Sequence, residues 1–161
     1  MARKKQPQNL WSKIIYLFIM LAGFICANCY LSDLITSNIN RGFNFPPNDF
    51  VTLSYVKNTG AAFSLLQNAR EFLIIVSIVA VTLLFMYVHH HIKNIHFISI
   101  SFISLLCSGI MSNCHERIVL GYVRDYIQLN FVNFPIFNVA DIFITIGVIA
   151  LIVILLFYKG R

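Results

Sequence analysis

Four apolar runs, each long enough to cross a bilayer, leave this chain few alternatives to a membrane bundle. A helix needs roughly 17–25 mostly apolar residues to span the hydrocarbon core. Segments from about Ile14 to Leu31, Phe72 to Val88, Ile95 to Ser112 and Ala140 to Tyr158 qualify. Charged residues make up only 11% of the 161-residue chain and hydrophobic ones 58%, whereas a soluble domain carries about 25% charged residues. The missing polar surface must face lipid. The sequence therefore predicts an all-α membrane protein, a four-transmembrane-helix bundle forming a single integral membrane domain over residues 1–161, with no internal repeat. The mixed stretch from Asn113 to Val139 reads as a loop or a partly re-entrant segment.

The net charge of +6 does not point to nucleic acid, because the cations sit in short stretches between apolar runs. A nucleic-acid binder gathers them on a folded face. Arg3, Lys4, Lys5 and Lys13 precede the first run, Lys93 lies between the second and third, and Lys159 and Arg161 follow the fourth. All six carboxylates, Asp33, Asp49, Glu71, Glu116, Asp125 and Asp141, fall on or near the opposite side. The positive-inside rule then places both termini in the cytoplasm and the two long loops outside. Met1 to Ala27 has the basic start of a signal peptide. Its apolar stretch is too long and no small-x-small cleavage site follows, so it is read as an uncleaved first span.

Several motifs have ordinary explanations. Cys26 and Cys29 form a C-x-x-C within the first run, without the second pair that a zinc site needs. Together with Cys107 and Cys114 they are expected to pack between helices. His89, His90, His91 and His96 mark a water interface rather than a metal site. Phe50 to Val56 (FVTLSYV) alternates roughly and is rich in β-branched and aromatic residues, which favours a short extended segment in the first outer loop. Pro46 and Pro47 stop any helix before it.

Two carboxylates carry the chemistry. Asp141 opens the fourth run, where an ionisable group is costly unless it meets a polar cavity or a partner. A carboxylate at a helix N-terminus is the competing reading. Asp125 lies in the preceding outer loop and by itself is unremarkable. Brought together, two carboxyls cannot both ionise easily, so one keeps a proton. The ionised member can then act as general base on water while the other polarises a carbonyl. Asn58, Asn113 and Asn138 are amides at similar depth that must find partners if buried. Asn58 is followed by Gly60, Ala61 and Ala62, which permit close backbone approach. Arg117 is placed to pair with a carboxylate or a lipid phosphate.

These blocks resemble bacterial lipoprotein signal peptidase (signal peptidase II). Val56 to Ser64 resembles V-x-N-x-G-A-A-F-(S/G), Asn113 to Asp125 resembles N-x-x-D-R-x-x-x-G-x-V-x-D, and Phe134 to Asp141 resembles F-P-x-F-N-x-A-D. They occur in the family's order. The resemblance implies a membrane aspartyl endopeptidase that removes the signal peptide from diacylglyceryl-modified prolipoproteins, cutting before the lipidated cysteine. It implies Asp125 and Asp141 as the catalytic pair. Asn58, Gly60, Asn113, Arg117, Asn138 and Ala140 become the substrate-binding shell. It further implies no metal or other cofactor, inhibition by globomycin-like lipopeptides and a small extended or β cradle in the outer loop around Phe50 to Leu66. The expected setting is the bacterial cytoplasmic (inner) membrane, with the active site at the outer face and the chain acting as a monomer.

The chain departs from the family pattern at several places. Ser112 replaces a glycine, Glu116 stands where Asp is usual, Arg124 precedes Asp125, and Tyr126 follows it where Phe is common. The D-Q-x-(S/T)-K motif of the first span is poorly kept, with Asp33 and Thr36, or Asn28, as candidate remnants. Arg124 is expected either to lower the pKa of Asp125 or to face a lipid headgroup. These departures motivate an alternative, a non-catalytic paralogue that binds lipoprotein or lipopeptide. A proton-coupled transporter would need polar residues in the second and fourth runs, which offer little beyond Ser77, Thr82 and Thr145.

Overall fold

The computed structural model describes residues 10–41, 50–61 and 66–157. Arg3, Lys4, Lys5, Pro46, Pro47, Asp49, Ala62, Phe63, Ser64, Tyr158, Lys159 and Arg161 lie outside the described residues. The elements run in the order α1 (Leu10–Asn40), β1 (Val51–Asn58), α2 (Arg70–His91), α3 (Phe97–Leu120), β2 (Val123–Leu129) and α4 (Val139–Phe157). All four helices are long and apolar enough to cross a membrane.

α3 is the central helix. Its most apolar window is 61% buried, against 17% in α1, 6% in α2 and 17% in α4. The outer helices therefore keep most of their Ile, Leu, Val and Phe side chains for lipid, while α3 is enclosed by protein. Small residues make this possible. A Cβ on Gly109 would stand 2.5 Å from the Ala140 carbonyl oxygen and 2.8 Å from Ile144 Cγ1, and one on Gly147 would stand 2.8 Å from Leu106 Cβ. α3 and α4 thus touch almost backbone to backbone, the kind of approach that small residues permit between membrane helices.

At the opposite end, Leu17, Leu21, Val88, Ile92, Ile95, Ile100, Ile103 and Cys107 form an apolar cluster. Lys13 is buried beside it and donates from Nζ to the carbonyl oxygens of Ile92 (3.1 Å) and Lys93 (2.9 Å). A cation there compensates the orphan carbonyls and negative dipole end of α2. Lys13 serves as an internal tie as well as a flanking charge.

Three expectations need correction. α1 runs 31 residues, nine beyond Leu31, to Asn40. α3 continues to Leu120, so Asn113 and Arg117 are helical rather than part of a loop. Polar side chains such as Asn113, Glu116 and Arg117 interrupt the hydropathy but not the backbone bonding. α3 stops where Gly121 adopts φ 87° and donates its N–H to the Arg117 carbonyl, a left-handed cap for which glycine is suited. The cysteines also divide: Cys107 and Cys114 are buried, but Cys26 and Cys29 are exposed on α1 and do not pack between helices.

The extended segment expected at FVTLSYV is β1. It pairs antiparallel with β2 in the register Leu53↔Ile127, Val56↔Asp125 and Asn58↔Val123, with one extra residue on β1 between Leu53 and Val56. A short bridge from Phe137 to Ile127 lies on the other edge of β2. It carries the chain from the sheet into α4.

The Gly109 contact yields a direct expectation. Gly109→Leu should lower stability by about 1–3 kcal/mol or more through overpacking. Gly23→Leu, where nothing lies within 4 Å of the added Cβ, should be near neutral. Thermal unfolding of both variants in detergent micelles checks the pair.

Candidate active site

Side chains alternate along β2, so Val123 and Asp125 face one way and Arg124 and Tyr126 the other. Asp125 faces α4 and is only 3% exposed. Its register partner is Val56, which places Asn58, two residues further on, on the same face. Asn58 Nδ2 donates to Asp125 Oδ2 (2.8 Å), and Asn58 Oδ1 accepts the Gly60 N–H (2.9 Å).

Asp141 reaches the same place from α4. Asn138 caps the helix: its Oδ1 accepts the Asp141 N–H (3.0 Å), while Asp141 Oδ2 accepts the Asn138 N–H (3.1 Å). This is a reciprocal capping box, so the helix-terminus reading of Asp141 is correct as local structure. The other carboxyl oxygen is turned to the site, where Oδ1 accepts from Asn113 Nδ2 (2.8 Å).

Asn138 joins the two acids. Its Nδ2 donates to Asp125 Oδ1 (2.9 Å) and to Asn113 Oδ1 (3.1 Å), while its backbone N–H holds Asp141. Arg117 completes a ring behind them. Nη2 donates to the Gly60 carbonyl (2.8 Å) and Nη1 to the Asn113 carbonyl (3.3 Å). The circuit runs Asp125, Asn58, Gly60, Arg117, Asn113, Asp141, Asn138 and back to Asp125. Residues distant along the chain close one hydrogen-bonded loop.

Both carboxyls line a cavity of about 840 Å³. Val56, Lys57, Thr59 and Ala61 lie along its β1 side, Phe134 to Phe137 along the approach to α4, and Ile142, Thr145 and Ile146 continue down α4. Phe134 and Ile146 are also exposed on the outer surface. The cavity therefore joins a polar floor to an apolar wall continuous with the lipid-facing side of α4.

Burial pushes the Asp125 pKa up from the ordinary 3.8 to about 7, with the negative charge of Asp141 adding to it. Hydrogen bonds from Asn58 and Asn138 and the Arg117 charge oppose the rise. Desolvation prevails because a carboxylate loses more on leaving water than neutral amides return.

Of the residues expected at a site, Asp125, Asp141, Asn58, Asn113 and Arg117 line the cavity. Gly60, Asn138 and Ala140 are buried behind its wall. Arg124 meets neither expectation held for it. It turns away from Asp125 to Glu116, donating from its backbone N–H (2.8 Å), Nε (2.8 Å) and Nη2 (2.6 Å), and reaches Asp33 with Nη1 (2.9 Å). The departures at Glu116 and Arg124 thus form one ion pair tied to α1. Ser32 was missed: its Oγ lies 2.8 Å from the Tyr126 hydroxyl. Asn28, Ser32 and Thr36, all buried, recur every four residues along α1, and that polar stripe in an apolar helix is the signal that would have found it. Among the described residues, no three His, Cys, Asp or Glu side chains gather as metal ligands.

Four apolar helices with paired acids at the junction of a helix and a sheet define a multi-pass membrane protein with a hydrolase-like site. The signal peptidase (SPase) II family profile matches residues 20–157. A lipoprotein signal peptidase of Streptococcus thermophilus is 41% identical over 139 residues, covering 85% of this chain and 90% of the relative. One from Caldicellulosiruptor bescii is 34% identical over 152 residues, covering 92% and 95%. A solved bacterial membrane enzyme, obtained by the in meso method, superposes with a TM-score of 0.75 at 29% identity, over 90% of this chain and 92% of that one. The chain belongs to the signal peptidase II family.

The raised pKa of Asp125 has a signed consequence for stability. Between about 3.8 and about 7 the folded state holds a proton that the unfolded chain has lost. Stability therefore falls as pH rises across that window. Relative to Asp125→Asn, the wild type should lose melting temperature as pH rises from 5 to about 7 and level off above it. Parallel thermal scans of the two proteins check this.

Proposed function

We propose that this chain is a membrane aspartyl endopeptidase that removes the signal peptide from diacylglyceryl-modified prolipoproteins, with Asp125 and Asp141 as the catalytic pair. The observation that carries this reading is Asn138, whose side-chain amide holds Asp125 while its backbone amide holds Asp141. One residue sets the spacing of two acids that open onto the same cavity. Membership in the signal peptidase II family supplies the reaction class, and the names of the relatives supply lipoprotein as substrate.

At neutral pH the pair shares one proton, held on Asp125. Asp141 takes a proton from a water lying between the carboxyls, and the water oxygen attacks the scissile carbonyl carbon. Asp125 gives its proton to the carbonyl oxygen as the tetrahedral intermediate forms. Collapse re-forms the carbonyl as a hydroxyl proton returns to Asp125 and the C–N bond breaks, and the amine of the lipid-bearing cysteine leaves with the proton that Asp141 accepted. Asn58, Asn113 and Arg117 are placed to bind the peptide backbone, while Gly60, Asn138 and Ala140 shape the wall behind them. The apolar wall along Ile142 and Ile146 suits acyl chains arriving sideways from the bilayer. Both termini then lie in the cytoplasm, and the dyad lies at the outer face of the cytoplasmic membrane. A cavity with these polar and apolar halves also suits globomycin-like lipopeptides. The protein acts as a single integral membrane domain and as a monomer.

The binding-only alternative was motivated by Ser112, Glu116 and Arg124. The mutual ion pair of the last two leaves both aspartates in place, so neither of those two departures favours it.

Purified protein with a diacylglyceryl-modified prolipoprotein provides the test. Asp125→Asn and Asp141→Asn should each lower kcat on the order of 10²–10⁴-fold. Wild-type activity should fall as pH rises through about 7, where Asp125 loses its proton. Undiminished cleavage by either variant would overturn the dyad.

A further inference from the structure

Tyr126 is the largest fully buried side chain among the described residues, with 0% exposure. It follows Asp125 on β2, so its ring projects from the opposite face of the strand. Its hydroxyl accepts the Val139 N–H (3.3 Å) and lies 2.8 Å from Ser32 Oγ. Val139 follows Asn138 and is the first residue of α4. Its N–H is one of the donors that a helix N-terminus leaves without an internal partner. The hydroxyl therefore accepts from the backbone of α4 and shares a second hydrogen bond with Ser32 Oγ on α1, in which either hydroxyl can donate.

Beyond the backbone bridge between Phe137 and Ile127, the strand carrying Asp125 and the helix start carrying Asp141 are therefore joined by two side chains. One link is the Asn138 amide, within the site. The other is the Tyr126 hydroxyl, behind it. A phenyl ring in the same space would fill the volume and forfeit the second link. We propose that the Tyr126 hydroxyl, oriented by Ser32, is a positioning group that fixes the first turn of α4 against β2 and so holds Asn138 in bonding distance of Asp125. This rests on the dyad reading above for its effect on turnover, but not for its effect on the Asp125 carboxyl.

The consequence is measurable at that carboxyl. The charged groups facing Asp125 are Asp141 on α4 and Arg117 on α3, and the polar ones are Asn58 on β1 and Asn138 at the start of α4. Tyr126→Phe alters none of these chemically. If the first turn of α4 drifts, the Asn138 donor withdraws, and with it one of the contacts that restrain the rise in the pKa of Asp125.

The experiment is carbon-13 NMR titration of aspartate-labelled, full-length protein in micelles. The Asp125 signal is assigned by its loss in Asp125→Asn, and turnover of lipidated prolipoprotein is measured alongside. Tyr126→Phe should raise the Asp125 midpoint by about half a unit to one unit and lower kcat roughly tenfold, with KM within twofold. Ser32→Ala keeps the Val139 contact. It should lower Tm but move the midpoint and kcat less. An unchanged midpoint and kcat in Tyr126→Phe, with Tm lowered as in Ser32→Ala, would show a merely structural hydroxyl and overturn the proposal. Cleavage that persists in Asp125→Asn would remove the dyad reading instead, while the carboxyl midpoint still decides the role of Tyr126.

Discussion

The site depends on how two carboxyl groups are kept side by side in a low-dielectric place. Each acid alone would be costly there, and together they repel when both are ionised. The chain meets that cost with amides rather than with a direct ion pair. Asn58, Asn113 and Asn138 supply donors to the carboxyl oxygens, and the Arg117 guanidinium binds carbonyl oxygens at Gly60 and Asn113. Neutral donors fix geometry without stripping the proton from Asp125. A cation bonded directly to Asp125 would favour its ionised form.

The fold is arranged to deliver those groups to one spot. α3, enclosed by its neighbours, brings Asn113 and Arg117 through the centre of the bundle. The near contact of α3 and α4 at Gly109 puts Asn113 within reach of Asp141 and Asn138. The sheet brings Asp125 and Asn58 from the other side. Glu116 and Arg124 tie the start of β2 to α3, and Asp33 extends that tie to α1. Arg124 is partly buried and held by two acids, which keep it charged despite the burial. Partly buried pairs with this many hydrogen bonds specify a position more reliably than they add stability.

Much of this was legible in the chain itself. Span number followed from hydropathy, β1 from the alternation in FVTLSYV, and the three asparagines from their resemblance to family blocks. The helical state of Asn113 and Arg117 was not, because hydropathy registers side-chain polarity and is blind to a backbone that stays bonded up to Gly121. The direction of Arg124 was also hidden. Adjacency to Asp125 in sequence suggests interaction, but on a strand neighbours point apart. The pairing of Ser32 with Tyr126 was hidden for a further reason: it joins residues 94 positions apart, and although the polar stripe along α1 marks Ser32, nothing in either segment names its partner.

The length of α1 has a consequence for the lipid. At about 1.5 Å per residue its 31 residues extend about 46 Å, well past a hydrocarbon core of about 30 Å. The residues that meet β2, namely Ser32, Asp33 and Thr36, lie in its last three turns, so the helix works as a post whose top carries the sheet. The elevation of the acids above the mid-plane is then a property of the protein. Bilayers of different thickness must thin, swell or tilt the bundle to suit it, while the height of the sheet on that post stays set by the helix.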